Sequence, residues 1–185
     1  LHDDHTLSTE PASADVHEMT FKASVGLAGG GPTMWWGSVL PDQQSMDIDS
    51  LVYESRPLEA SLEILGRPMA KLLVSADATR ANWVVRVSDV TPDGQVTQVA
   101  GAGFNGTHRH SSREPEDVVP GEIFELDIEM HLTSWVFPAG HRIRVAVSNS
   151  MWPMLWPTRE PVTTTLSLGG ENGSVVELPV VSPGG

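Results

Sequence analysis

From Trp135 to Ser150 the chain reads Trp-Val-Phe-Pro-Ala-Gly-His-Arg-Ile-Arg-Val-Ala-Val-Ser-Asn-Ser, and its second half alternates. Ile143, Val145 and Val147 fall on one side. Arg142, Arg144 and Ser148 fall on the other, and Ala146 is small enough for either. A period of two predicts a strand with one face buried and one wet. Pro138-Ala139-Gly140 before it predicts a tight turn, because proline fixes φ and glycine admits positive φ.

The same period recurs along the chain. Met19, Phe21, Ala23, Val25 and Leu27 alternate with polar or small residues. So do Leu58 to Ile64, Ala70 to Ala76, and Phe124, Leu126, Ile128 and Met130 against Glu125, Asp127 and Glu129. Leu51–Ser55 is a short extended segment. Trp83, Val85 and Val87 lead into Thr91-Pro-Asp-Gly94, a turn signal that predicts a hairpin with Gln95–Ala100. Val162–Leu168 is rich in β-prone threonine, and Val175–Val181 closes the series. Nowhere do apolar residues keep helical spacing for a dozen positions. About ten short strands with turns between them predict an all-β sandwich or barrel.

Residues 1–15 are polar and without period, and read as a flexible or loosely docked lead-in; residues 16–185 read as a single β-sandwich domain. Gly29 to Asp49 reads as a long loop, an uncommon feature in a compact domain and often a functional one.

Eleven basic against 24 acidic residues give a net charge of −13. That balance argues against binding a phosphate backbone, which needs clustered Lys and Arg. There is no cysteine, which excludes disulfides, zinc-thiolate sites and thiol catalysis. No apolar run approaches the roughly 18 residues of a bilayer span, so no membrane partner is expected. No signal peptide is visible, which says little about the parent protein; a cytoplasmic location is the expectation. The opening Leu1 reads as the start left after a native N-terminus was removed.

Phe137-Pro-Ala-Gly-His-Arg-Ile-Arg144 with Ser148-Asn-Ser150 resembles the signature of a known family. This is the C-terminal, non-catalytic domain of α/β serine hydrolases related to cocaine esterase and X-prolyl dipeptidyl-peptidase. Asp49–Ser55 with Pro57-Leu58, Leu65-Gly-Arg-Pro68, the Asn82–Gly94 hairpin and Pro120-Gly-Glu122 resemble further segments of that family in the same order. The Ser150–Pro157 loop and Thr107-His-Arg109 are similar to a Trp-Pro-rich subgroup, whereas other members carry Asn-Phe-Pro in that loop. Similar chains often place an acid where this one has His110. The resemblance implies a jelly-roll β-sandwich, similar in outline to galactose-binding modules. It also implies an accessory role beside an α/β-hydrolase catalytic domain of the same parent chain, with self-association as a further expectation and no cofactor.

Six tryptophans raise the question of a binding surface. Trp83 and Trp135 belong to apolar strands and read as core. Trp35 and Trp36 sit in a Gly-rich loop, Trp152 and Trp156 in a Pro-rich one, and exposed aromatic patches mark interaction sites. The resemblance implies that Met34, Trp35 and Trp36 wall the parent's acyl pocket or bury against its catalytic domain, with Trp152 and Trp156 acting likewise. The rival reading is a free-standing carbohydrate-binding module.

Self-contained serine catalysis is not expected, since no Gly-x-Ser-x-Gly elbow exists here. His2 with His5, and His108 with His110, would share a face if they lay on strands; the plainer reading is a solvated tail and loop. Asp47 and Asp49 are the carboxylates a calcium site would draw on, without a legible coordination pattern. The sequons Asn105-Gly-Thr107 and Asn172-Gly-Ser174 read as loop chemistry.

Overall fold

The computed structural model describes residues 1–20, 42–151, 155, 158–170 and 173–181. Within them lie twelve strands, one short helix and one 3₁₀ turn. The strands are β1 (Thr6–Leu7), β2 (Asp15–Thr20), β3 (Leu51–Ser55), β4 (Leu62–Gly66), β5 (Met69–Ala76), β6 (Asn82–Val90), β7 (Val96–Asn105), β8 (Phe124–Glu129), β9 (Thr133–Phe137), β10 (Arg142–Ser148), β11 (Thr163–Leu168) and β12 (Val175–Glu177). Helix α1 spans Gln44–Asp47.

The alternating segments pair into two large sheets. The front sheet runs β1-β3-β10-β6-β7. In the back sheet β8 lies on one side of β5, while β11 and β12 share its other side end to end, and β2 adds beyond β11. A small third sheet pairs β4 with β9. The all-β sandwich read from periodicity is the fold observed. Its core lies between the large sheets, where Tyr53, Leu72, Val74, Trp83, Val85, Val87, Leu126, Ile128, Val145 and Leu166 are sealed. Trp83 meets Phe124 edge to face at 5.6 Å, the arrangement that aligns a ring's positive edge with its partner's negative face.

The turn chemistry works as its residues require. His141 N donates to Pro138 O at 3.1 Å, and Gly140 holds φ +82°, a conformation that a side chain disfavours. Thr91 N donates to Gln95 O at 3.0 Å and closes the β6–β7 hairpin.

Several readings need correction. The face of β10 that carries Arg142, Arg144 and Ser148 is not wet: Ala146 and Ser148 are buried, and Arg144 is largely covered. A strand expected at Leu58–Ile64 forms instead at Leu62–Gly66. Leu58 bonds the 138–141 turn, its N donating to His141 O and its O accepting from Gly140 N. Trp135 lies on β9, a strand not anticipated before the turn, and is only partly buried. Residues 44–47 of the expected long loop are helical, and its first part, 29–41, lies outside the described residues. The strand expected from Met19 to Leu27 begins earlier, at Asp15, and its residues from Phe21 onward also lie outside them.

The first fifteen residues carry more structure than their lack of period suggests. Leu1 joins the core, and β1 pairs in parallel with Glu54–Ser55. His5, His17 and Tyr53 stack in one pile, and a 2.8 Å hydrogen bond joins His17 Nδ1 to the Tyr53 hydroxyl. That pile ties β2 of the back sheet to β3 of the front one.

Candidate functional site

The chemistry gathers on the outward face of the front sheet. Strand β6 points Trp83, Val85 and Val87 into the core, so Val84, Arg86 and Ser88 point outward. A solvated outward face would leave Arg86 open; it is 1% exposed. Its Nη2 donates to Asp47 Oδ1 at 2.9 Å and to Ser50 Oγ at 3.3 Å. Arg144 on neighbouring β10 donates through Nη1 to the other Asp47 oxygen at 2.8 Å, and through Nε and Nη2 to Glu54 at 2.8 and 2.6 Å. Arg142 completes the chain on the second Glu54 oxygen. Three guanidinium groups and two carboxylates thus knit β3, β6, β10 and α1.

Burial sets the electrostatics. It would push the Glu54 carboxyl up, but Arg144 and Arg142 outweigh it and hold Glu54 below the usual carboxylate range. Burial likewise opposes the charge on Arg144, yet Asp47 and Glu54 hold its guanidinium above its ordinary value. For Arg86 burial wins, pulling the guanidinium down against the pull of Asp47. Asp47 is committed to two arginines.

Close approach of the cover explains a small residue on β7. A Cβ on Gly103 would collide with Leu155 Cδ1, whereas one on Gly101 would meet Gln98 Nε2 at 2.9 Å and Val85 O at 3.1 Å within its own sheet. So α1 and Leu155 both sit across the outward face. Asp42, which precedes α1, accepts from Val96 N at 3.3 Å, and Gln43 N donates to Val96 O at 2.8 Å.

The family motif residues build a corner beside this face. Asp89 Oδ1 is 2.9 Å from His141 Nδ1, and Asp89 Oδ2 accepts from Trp135 Nε1 at 3.2 Å. This Asp–His pair locks the β9–β10 turn onto the β6–β7 hairpin.

The other sequence candidates separate. Met34, Trp35, Trp36, Trp152 and Trp156 lie outside the described residues. His108 ends the 3₁₀ turn Gly106–His108 and bonds Ser111 O at 3.0 Å, while His110 pairs with Glu116 at 2.8 Å. The two rings therefore do not share a strand face. Arg109 between them is structural: it donates to the carbonyls of Gly106, Glu116 and Asp117 and lies 5.4 Å over the Phe124 ring. Asn105 of the first sequon caps the 3₁₀ turn, its Oδ1 accepting from Thr107 N and Oγ1. Among the described residues every exposed large apolar side chain is aliphatic, and no helix is long and apolar enough to cross a membrane.

Sequence reasoning missed Arg86 and Glu54, and singled out Asp47 only as a carboxylate for calcium. The one available signal was a charge amid the apolar run Trp83–Val87, which reads equally as the wet side of an ordinary strand.

Comparison with known proteins agrees with this architecture. The chain is 27% identical over 166 residues to a Mycobacterium bovis protein named as a candidate serine esterase, covering 77% of this chain and 26% of that protein. It is 35% identical over 105 residues to the cocaine esterase of a Rhodococcus species, covering 57% of this chain and 18% of the esterase. Among solved structures, an α-amino acid ester hydrolase superposes with a TM-score of 0.86 at 22% identity, over 98% of this chain and 35% of that one. An aminopeptidase from a marine sediment thaumarchaeon gives 0.82 at 24%, over 97% and 36%; at these identities the likeness is one of fold. The chain spans about a quarter or less of the curated relatives it matches. The family model of the X-Pro dipeptidyl-peptidase C-terminal non-catalytic domain matches residues 1–175, and the chain belongs to that family.

Proposed function

We propose that this chain serves as the accessory domain of a serine hydrolase acting on acyl esters or peptides. It packs on an α/β catalytic domain and walls part of the substrate pocket with Met34, Trp35 and Trp36, joined by Trp152 and Trp156. The observation that carries this reading is the covered outward face of the front sheet. Residues 42–50, which follow the Trp35–Trp36 segment, are pinned there through Asp42, Gln43 and Asp47, and Leu155, between Trp152 and Trp156, packs on the same face. Anchors on one face of one sheet support a surface shared by the two segments.

The test is kinetic. In the full-length protein, Trp35→Ala with Trp36→Ala raises KM for a p-nitrophenyl ester or an X-Pro-p-nitroanilide by about tenfold, the loss of one good apolar contact. Unchanged kinetics reject the pocket-wall role. The 185-residue chain alone neither turns over the ester nor binds a glycan array; sugar binding promotes the carbohydrate reading instead.

A further inference from the structure

We propose that the outward face of the small sheet is the surface on which the catalytic α/β-hydrolase domain of the same polypeptide docks, an inference that rests on the accessory-domain reading above. The register defines the surface. β4 and β9 pair with Glu63 opposite Val136 and Leu65 opposite Ser134. Residues 178–181 extend the pair: Ile64 bridges Val180, Leu65 N donates to Pro179 O at 3.0 Å, and Val181 N donates to Glu63 O at 2.9 Å. Ile64 and Phe137 point inward and are fully buried. Alternation then turns Ser134 and Val136 outward in one row, with Leu132 just before it, and Glu63 and Leu65 in the next, while Val180 and Val181 lie exposed along the edge beyond. Leu132 is 64% exposed, Leu65 60%, Val136 51% and Val181 37%. Contiguous aliphatic surface of this kind marks an interaction site, whereas isolated exposed aliphatics do not.

Charge selects the occupant. Glu63 stands between Val136 and Val181 at one end of the patch. A second copy would bring another chain of net charge −13 against this carboxylate-bearing face. A different partner can place a Lys, an Arg or a backbone N–H opposite that carboxylate. The chain fills only 35% and 36% of the two solved relatives, so in each of them about two thirds of the polypeptide lies outside this fold and is large enough to cover the patch. An interface within one chain needs only about 600–1,500 Å².

The test uses the full-length protein with a protease site engineered between the domains. After cleavage the wild-type halves co-elute in size exclusion. Leu65→Asp with Leu132→Asp separates them, weakening association at least tenfold, and Glu63→Lys weakens it as well. The 185-residue chain with the same substitutions keeps its Tm, since both leucines are exposed, which excludes misfolding as the cause. Co-elution unchanged by all three substitutions overturns the patch and leaves the accessory reading standing. Wild-type halves that part on cleavage overturn the accessory reading itself. A dimer of the 185-residue chain in sedimentation that Leu65→Asp abolishes overturns the choice of occupant in favour of a second copy.

Discussion

The outward face of the front sheet holds Arg86, Arg144 and Asp47 under cover, whereas that of the back sheet sets Lys71, Glu125, Asp127 and Glu129 in solvent. Both faces are charged, and both come from strands with the same two-residue period. The difference lies in what crosses them. On the front face α1 and Leu155 exclude water, so each carboxylate must be matched to a guanidinium; an unmatched charge there has no solvent to fall back on. On the back face Lys71 pairs with Glu177 at 2.7 Å with both side chains more than half exposed, and water screens whatever the pair gains. The same residue types thus form a specific lattice on one sheet and a solvated surface on the other.

This contrast can be broken most sharply at Asp47. Asp47→Ala strands Arg86 without its buried partner and costs about 3–5 kcal/mol in urea denaturation, the range for halving a buried pair. A loss no larger than that of a surface substitution means that the front face is wetter than described. Gly103→Ala comes next. The new methyl meets the end of the half-buried Leu155 side chain, which must turn aside, and the cost is about 1 kcal/mol or less. Leu155→Ala in the same chain restores most of it, because the double variant removes the clash; additive losses would place Leu155 elsewhere.

Acid provides a third comparison. Glu54 is held below the usual carboxylate range when folded, so on acidification the unfolded chain takes up its proton first. Its contribution is present above the unfolded carboxylate pKa of about 4.3 and fades as pH falls through the lower folded value. Thermal melts from pH 6 downward show a steeper loss for the wild type than for Glu54→Gln; parallel curves would refute the coupling to Arg144 and Arg142. The smallest effect belongs to the back sheet, where Lys71→Ala leaves the denaturation midpoint unchanged within error, because the side chain is solvated.

Much of the fold was legible. Phe124 to Met130 keeps its apolar positions inward and its acids outward as the period dictates, and Leu51–Ser55 forms a strand at the expected bounds. The Pro138–Gly140 and Pro92–Gly94 turns rest on local backbone preferences, which need no tertiary information. Less was legible of the site. Trp135 reads as core, yet its indole is drawn to Asp89, a partner 46 positions away that no local pattern announces. His108 and His110 read as loop residues, and the fold adds there a 3₁₀ turn, capped by Asn105, that the sequence does not announce.

By itself the sequence determined the two-residue period, the turns between strands and the family motifs, because each depends on residues within a few positions of one another. Only the tertiary structure decided that the Arg142–Arg144 side of β10 is covered rather than wet. A strand's alternation defines two faces and says nothing of what lies over them. Here the cover comes from Asp47, 97 positions from Arg144, and from Leu155, and only the folded chain brings them across the sheet.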